Sequence, residues 1–420
     1  MRRRRYGLTA LLAAAAVVLP GCASSGDGPA GTTAPVTPVT PRAGAVSVPG
    51  PAASARRTTA APPTPATTPT PSPSPTKTIG PGEGSVTVLA PRGYAEYGGY
   101  DPQVNWVGPF ERDTGCKVNL RYPPSPGEMD AMARRVTYDV ISAPPEVAGR
   151  LIAERRAAPI TTSLLPHYDD IPRWLRTQRT AVSGDEVYGV PYLWGSYVTL
   201  TAGTERGLDA ASIFSRPGSM SLRDAPLSIA DAALALRTTR PALGVRDPFE
   251  LTPAQLDAAV ALLAERRAER TYWTETVEPL QGLTSGAVSM TRTVPYQQDL
   301  LRRAGRPVRA VPQRETTGWV DSWMLAARPA SPNCAYRWLD WIGSPDAQRQ
   351  AATWTGFAPA NAEACTGRAA RVCDAYRMDD QAWVKKIHFA VRPTRDCGGE
   401  DTGCTDYADW TARWRELVPG

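Results

Sequence analysis

Val86-Thr87-Val88-Leu89, closed by the turn Pro91-Arg92-Gly93-Tyr94, decides the fold of this 420-residue chain. A short apolar and β-branched run bounded by turn residues reads as a buried strand. Working outward, a helix carrying Trp106, Val107 and Phe110 is expected to stop near Gly115. Lys117 to Tyr122 reads as a second strand, Glu128 to Arg135 as a helix, and Tyr138-Asp139-Val140-Ile141 as a third strand. Strands alternating with helices predict an α/β domain with a largely parallel sheet. Ligands of such sheets bind beyond the strand C-termini, which here are the turns at Arg92 to Tyr94 and Ser142 to Pro145. Later, Thr252, Pro253 and Gln255 form a capping box opening a helix through Leu256, Val260 and Leu263. Asn333 to Ile342 and Ser344 to Trp354 read as two further helices.

Upstream of Ser85 the character of the chain changes. Residues 22–84 are dominated by Pro, Thr, Ser, Ala and Gly, as in Thr70-Pro71-Ser72-Pro73-Ser74-Pro75. Such a segment buries too little apolar surface to offset its ordering entropy and is expected to be a disordered tether. Its reach is about 190 Å in polyproline form and about 45 Å as a flexible coil. Residues 1–21 read as a signal peptide, with Arg2 to Arg5 ahead of an apolar run from Leu8 to Leu19. That run falls short of the roughly 20 apolar residues that a membrane span needs. Leu19-Pro20-Gly21-Cys22 resembles a bacterial lipoprotein processing site, which implies lipidation of Cys22 and an extracytoplasmic domain anchored to the outer face of the cell membrane.

Charge and cysteine usage agree with export. The formal charge is +6, but removing the four signal arginines leaves 43 basic residues against 41 acidic ones, a mature charge of +2. No nucleic-acid partner is implied, since the remaining pairs, such as Arg134-Arg135 and Arg302-Arg303, read as solvated faces. Seven cysteines less Cys22 leave six, an even number that predicts disulfides in an exported chain. Six cysteines allow 15 connectivities. The short loops, Cys365 with Cys373 and Cys397 with Cys404, are favoured, which leaves Cys116 with Cys334 by elimination. No metal site or cofactor is expected, because there is no CxxC pair and neither His167 nor His388 has a second ligand at zinc-site spacing.

Several stretches together resemble the extracytoplasmic solute-binding proteins of ABC importers, specifically the spermidine/putrescine-binding group. They include residues 110–118 (Phe110 to Val118), Tyr138-Asp139-Val140, Tyr188-Gly189-Val190-Pro191-Tyr192-Leu193-Trp194-Gly195 and Tyr272-Trp273-Thr274. The longest runs from Gly318-Trp319-Val320-Asp321-Ser322 through Trp338-Leu339-Asp340-Trp341-Ile342 to Gly356-Phe357-Ala358-Pro359-Ala360-Asn361. The resemblance implies an α/β, two-lobed, type II periplasmic-binding-protein-like clamshell with discontinuous lobes. Lobe one is expected at 85–195 with 292–331, and lobe two at 200–290 with 334–420. The implied partners are a small polar solute, the subunits of an ABC permease, and the membrane through Cys22.

The resemblance also places aromatic residues at the cleft: Tyr94, Tyr192, Trp194, Tyr272, Trp273, Tyr296 and Trp319. Aromatic faces suit an amine ligand through cation–π attraction of about 0.5–2 kcal/mol each. Asp321 and Asp224 are the candidate carboxylates. The acidic pair of polyamine binders falls here on Ala225 and Ser228, while Pro91 and Val294 stand where the group carries tryptophans, next to or near Arg92 and Arg292. The ligand therefore stays open: a polyamine-like cation, or a zwitterionic or anionic solute met by Arg92 or Arg292. Catalysis is not expected, since there is no GxSxG or HExxH motif. A surface sensor or adhesin on the same fold, and a carboxylate-based exported hydrolase, are the rival readings.

Overall fold

The computed structural model describes residues 77–397 and 403–418. The expected signal peptide, Cys22 and the tether up to residue 76 lie outside the described residues. Residues 80–83, counted with the tether above, are instead tied to the folded part. Gly80 N–H donates to Asn333 Oδ1 at 2.6 Å, and Glu83 accepts from the backbone amides of Asn333 and Cys334.

In chain order the strands are β1 (Ser85–Leu89), β2 (Lys117–Arg121), β3 (Val140–Ala143), β4 (Ala157–Ala158), β5 (Val182–Ser183), β6 (Glu186–Val187), β7 (Gly189–Ser196) and β8 (Val198–Thr201). They continue with β9 (Met220–Arg223), β10 (Arg270–Trp273), β11 (Met290–Thr293), β12 (Arg309–Ala310), β13 (Thr316–Ala326), β14 (Ala358–Pro359) and β15 (Ile387–Phe389). Among the described residues they form two main sheets. The first runs β14-β7-β13-β3-β1-β2, with β4 and β15 also on β13, and the second runs β10-β9-β11-β8-β12. β1 is parallel to β2 and β3, and β9 is parallel to β10 and β11, whereas β13 runs antiparallel to β3 and β7. Each sheet centres one lobe of a clamshell.

Local signals translate directly into these elements. Helix Val107–Thr114 ends at Gly115, whose φ of 70° places it in the left-handed region that glycine tolerates. Thr252 and Gln255 form the reciprocal capping box of helix Pro253–Ala264. Three disulfides pair Cys116 with Cys334, Cys365 with Cys373 and Cys397 with Cys404.

Sheet membership departs from the expected division in two places. β14 and β15 pair with β7 and β13, so much of 334–390 belongs with the first sheet. Helix Pro332–Gly343 packs there too, with Trp338 at 5.1 Å from Phe110 and 5.5 Å from Trp323. Conversely, β11 and β12 pair with β8 in the second sheet, and the chain returns to the first sheet only after Val311. Turn residues mark where a strand ends, but which sheet it joins is set by long-range pairing that local pattern does not carry.

The crossings between sheets run side by side. Tyr197, between β7 and β8, donates its N–H to Thr317 O at 3.0 Å, and Val311 donates to Thr199 O at 2.8 Å. The last helix, Tyr407–Leu417, returns to the second lobe, where Arg413 meets Asp257 at 2.6 Å.

Candidate functional site

Asp321 lies inside β13 where its register against β7 shifts between Asp321 and Ser322. Such irregularities re-aim side chains. Its carboxylate is buried, 6% exposed, and accepts from the Tyr94 hydroxyl at 2.5 Å. Tyr94 follows β1 in the turn where the strand-end rule placed a ligand. Burial raises the Asp321 pKa to about 7; Tyr94, Arg223 and Trp319 act to lower it and Glu146 to raise it.

Trp319, two residues before Asp321, stands directly opposite Gly195 of β7. A Cβ at Gly195 would lie 2.3 Å from the Trp319 Cη2, so only glycine lets the indole lie across that strand. Tyr197 stacks obliquely on the same indole at 4.9 Å and Phe357 meets it edge-on at 5.3 Å.

From the second sheet, Arg223 at the C-terminus of β9 donates to the Tyr197 hydroxyl at 2.6 Å. Burial disfavours its charged form, but Tyr197, Glu146 and Asp321 outweigh that and raise its pKa. Glu146 sits in the first turn of helix Pro145–Ala153, just past β3. Burial raises its pKa, opposed chiefly by Arg223. Asp321 and Glu146 beside the first sheet and Arg223 at the edge of the second thus bias one another's ionisation around an aromatic cluster. No ion pair of 4 Å or less joins Arg223 to either of them among the described contacts.

Of the residues singled out in the sequence, Tyr94, Trp319 and Asp321 come together here. Trp194 does not: it is fully buried, donates its indole N–H to Pro359 O at 3.0 Å and packs on Trp174, Phe389 and Tyr376. Tyr192 likewise packs on Trp323 and donates to Tyr94 O. Asp224 accepts from the Trp414 indole at 2.7 Å, and Tyr272 meets the same Trp414 edge-on. Trp273 is buried and donates to Arg292 O at 2.9 Å. Tyr296 packs on Gly356.

The two arginines proposed as anion partners differ: Arg292 is buried and fully engaged, whereas Arg92 is exposed. Arg292 is 5% exposed and bound to Asp231 at 2.7 Å, Thr316 at 2.9 Å and Gln313 at 3.0 Å. Arg92 stacks over Tyr122 at 4.9 Å. Arg223, Glu146 and Tyr197 escaped the sequence reading. The strand-end rule, applied to the first and third strands, named Ser142 to Pro145 and stopped one residue short of Glu146; extended to β9 it points to Arg223, while Tyr197 carries no local signal.

Residues 105–371 match the family model described as bacterial extracellular solute-binding protein. This chain belongs to that family. Among solved structures, it is similar to a putative spermidine/putrescine ABC transporter protein from Listeria monocytogenes, with 14% identity and a TM-score of 0.64 over 80% of this chain and 99% of that one. It is also similar to the spermidine/putrescine substrate-binding protein PotD from Streptococcus pneumoniae, with 16% identity and a TM-score of 0.60 over 79% and 99% of the two chains. A third, described as a GABA receptor, shares 17% identity with a TM-score of 0.59 over 80% and 99%. At these identities the likeness is one of fold.

Proposed function

We propose that this protein is the solute-capturing component of an ABC importer, held at the outer face of the membrane by lipid on Cys22, and that its solute is a small zwitterion. The family supplies the general activity, binding of a solute outside the cytoplasm. The zwitterion is supported by one observation: Arg223 of the second sheet donates to the Tyr197 hydroxyl at 2.6 Å, and Tyr197 stacks at 4.9 Å on Trp319, two residues before the buried Asp321 of the first sheet, so a guanidinium and a carboxylate border one aromatic cluster. An ammonium would sit against Asp321 and a carboxylate against the guanidinium, which has N–H donors beyond the one given to Tyr197.

A diamine fits this arrangement poorly. Its second ammonium would approach Arg223, and like charges in a buried site repel by several kcal/mol. Tyr94, Tyr197 and Trp319 would wall the alkyl segment between the two ends.

Capture involves no chemistry. Solute touching both lobes favours the closed arrangement, and the closed form docks on the permease. The mature charge and the scattered arginine pairs give nucleic acid no role.

A thermal-shift panel on the full chain tests the ligand. 4-Aminobutyrate or 5-aminovalerate is expected to raise the Tm, by about 2.7 kcal/mol of added stability at 100 times the Kd. Stabilisation by putrescine or spermidine with none by the amino acids would overturn the zwitterion and restore the polyamine reading.

A further inference from the structure

One concavity is lined by none of the residues of the Asp321 cluster. It is a groove of about 610 Å³ between the helix Ile229–Thr239, the segment leading into β13, and the region around β15. Arg314, Lys385 and Lys386 line it, all exposed and without an ion-pair partner among the described residues. Arg237 and Arg377 add charge but are engaged, with Glu315 at 2.9 Å and with Asp380 respectively. Lysine occurs at only four positions in the whole chain, two of them side by side here.

From this grouping of three unpaired cations in one concavity, we infer that the groove is a binding site for a soluble multivalent phosphate-type oxyanion. Lysines act as mobile point charges towards phosphate, and Arg314 offers a planar fork. Concavity decides against a membrane surface. A flat bilayer cannot follow a recess, whereas a small oxyanion fits within the groove's volume, where Glu315 is already paired with Arg237. Stacking of a single-stranded base on Trp383 competes with Arg377, which lies over that ring at 4.8 Å.

Titration calorimetry of the full chain with tripolyphosphate tests this. Saturable binding is expected, weakened about tenfold or more by Lys385→Ala with Lys386→Ala, and weakened steeply between about 50 and 200 mM salt. Arg314→Ala should weaken it as well, while Arg302→Ala with Arg303→Ala, an exposed pair on another helix, should leave it unchanged. Four results would overturn the inference: no saturable binding, equal loss in the control pair, binding to phosphatidylglycerol vesicles without binding to tripolyphosphate, or preference for single-stranded oligonucleotide over tripolyphosphate. All substituted side chains are exposed, so unchanged thermal unfolding of the variants confirms that binding, not folding, is being read.

Discussion

The Tyr94 hydroxyl donates to Asp321 Oδ2 at 2.5 Å, joining the turn after β1 to the middle of β13 across 227 residues. Burial nonetheless leaves Asp321 with a pKa of about 7, above the ordinary carboxylate value near 3.9. Between those values the native state holds a proton that the unfolded state has released. This side chain therefore favours folding below about pH 4 relative to above pH 7, and its contribution is lost as pH rises through about 7. Its scale is at most roughly 4 kcal/mol. Thermal unfolding from pH 5 to pH 8 is expected to show a fall in the native protein that Asp321→Asn flattens. Equal slopes in the two would contradict the assignment.

Ligand binding carries the opposite sign. An ammonium against Asp321 favours its ionised form, so capture near pH 7 should release protons. Calorimetric titration in buffers of different ionisation enthalpy would detect this, and Asp321→Asn should abolish it.

Gly195→Ala puts a Cβ into the Trp319 indole, 2.3 Å from Cη2. The ring must move, at a stability cost of about 1–3 kcal/mol. Because Trp319 and Tyr197 stack, solute affinity should fall as well. Denaturant unfolding and thermal-shift titration of the same variant measure the two effects.

Arg223→Gln removes the guanidinium that opposes a second ammonium. Amino-acid ligands should bind about tenfold to a hundredfold more weakly, matching the loss of a charged hydrogen bond. Putrescine should gain affinity in the same variant. Isothermal titration with both ligands checks the exchange.

Asp231→Ala leaves Arg292 buried without its carboxylate. Breaking such a pair costs about 3–5 kcal/mol. Since Thr316 and Gln313 also bind Arg292 beside the Tyr197 crossing, the loss should loosen that crossing between the sheets. Small-angle scattering with and without solute would show a wider ligand-free form.

Cys116 and Cys334 close a loop of 218 residues, whereas Cys365 and Cys373 close one of 8. Chain entropy assigns about 5 kcal/mol to the long loop and about 2.5 kcal/mol to the short one. Denaturant unfolding of the paired Cys→Ala variants should rank them in that order.

Local pattern was enough for the alternation of β1, β2 and β3 with helices, for the Thr252 cap, and for Gly115 as a helix stop. These depend on neighbours within a few residues, which is the range over which propensity, capping and burial period act. The even set of six cysteines in an exported chain was legible for the same reason, since it needs only a count and a compartment.

The site was legible only in part. Tyr94 and Asp321 stood out as a strand-end tyrosine and a carboxylate beside Trp319. Trp194 looked the same as Trp319 in sequence, yet its indole N–H is taken by Pro359 O and its ring is packed by Trp174, Tyr376 and Phe389, while Gly195 leaves room for the Trp319 ring. Arg223 and Asp224 are adjacent in β9 and its turn, but one meets Tyr197 and the other Trp414. The sequence by itself determined the strand–helix alternation and the disulfide-forming cysteines. Only the tertiary structure decided which sheet β11, β12, β14 and β15 join, and which side chains gather around Trp319 and Asp321. Pairing over hundreds of residues and the direction of a side chain off a bulged strand are set by packing, which no local pattern contains.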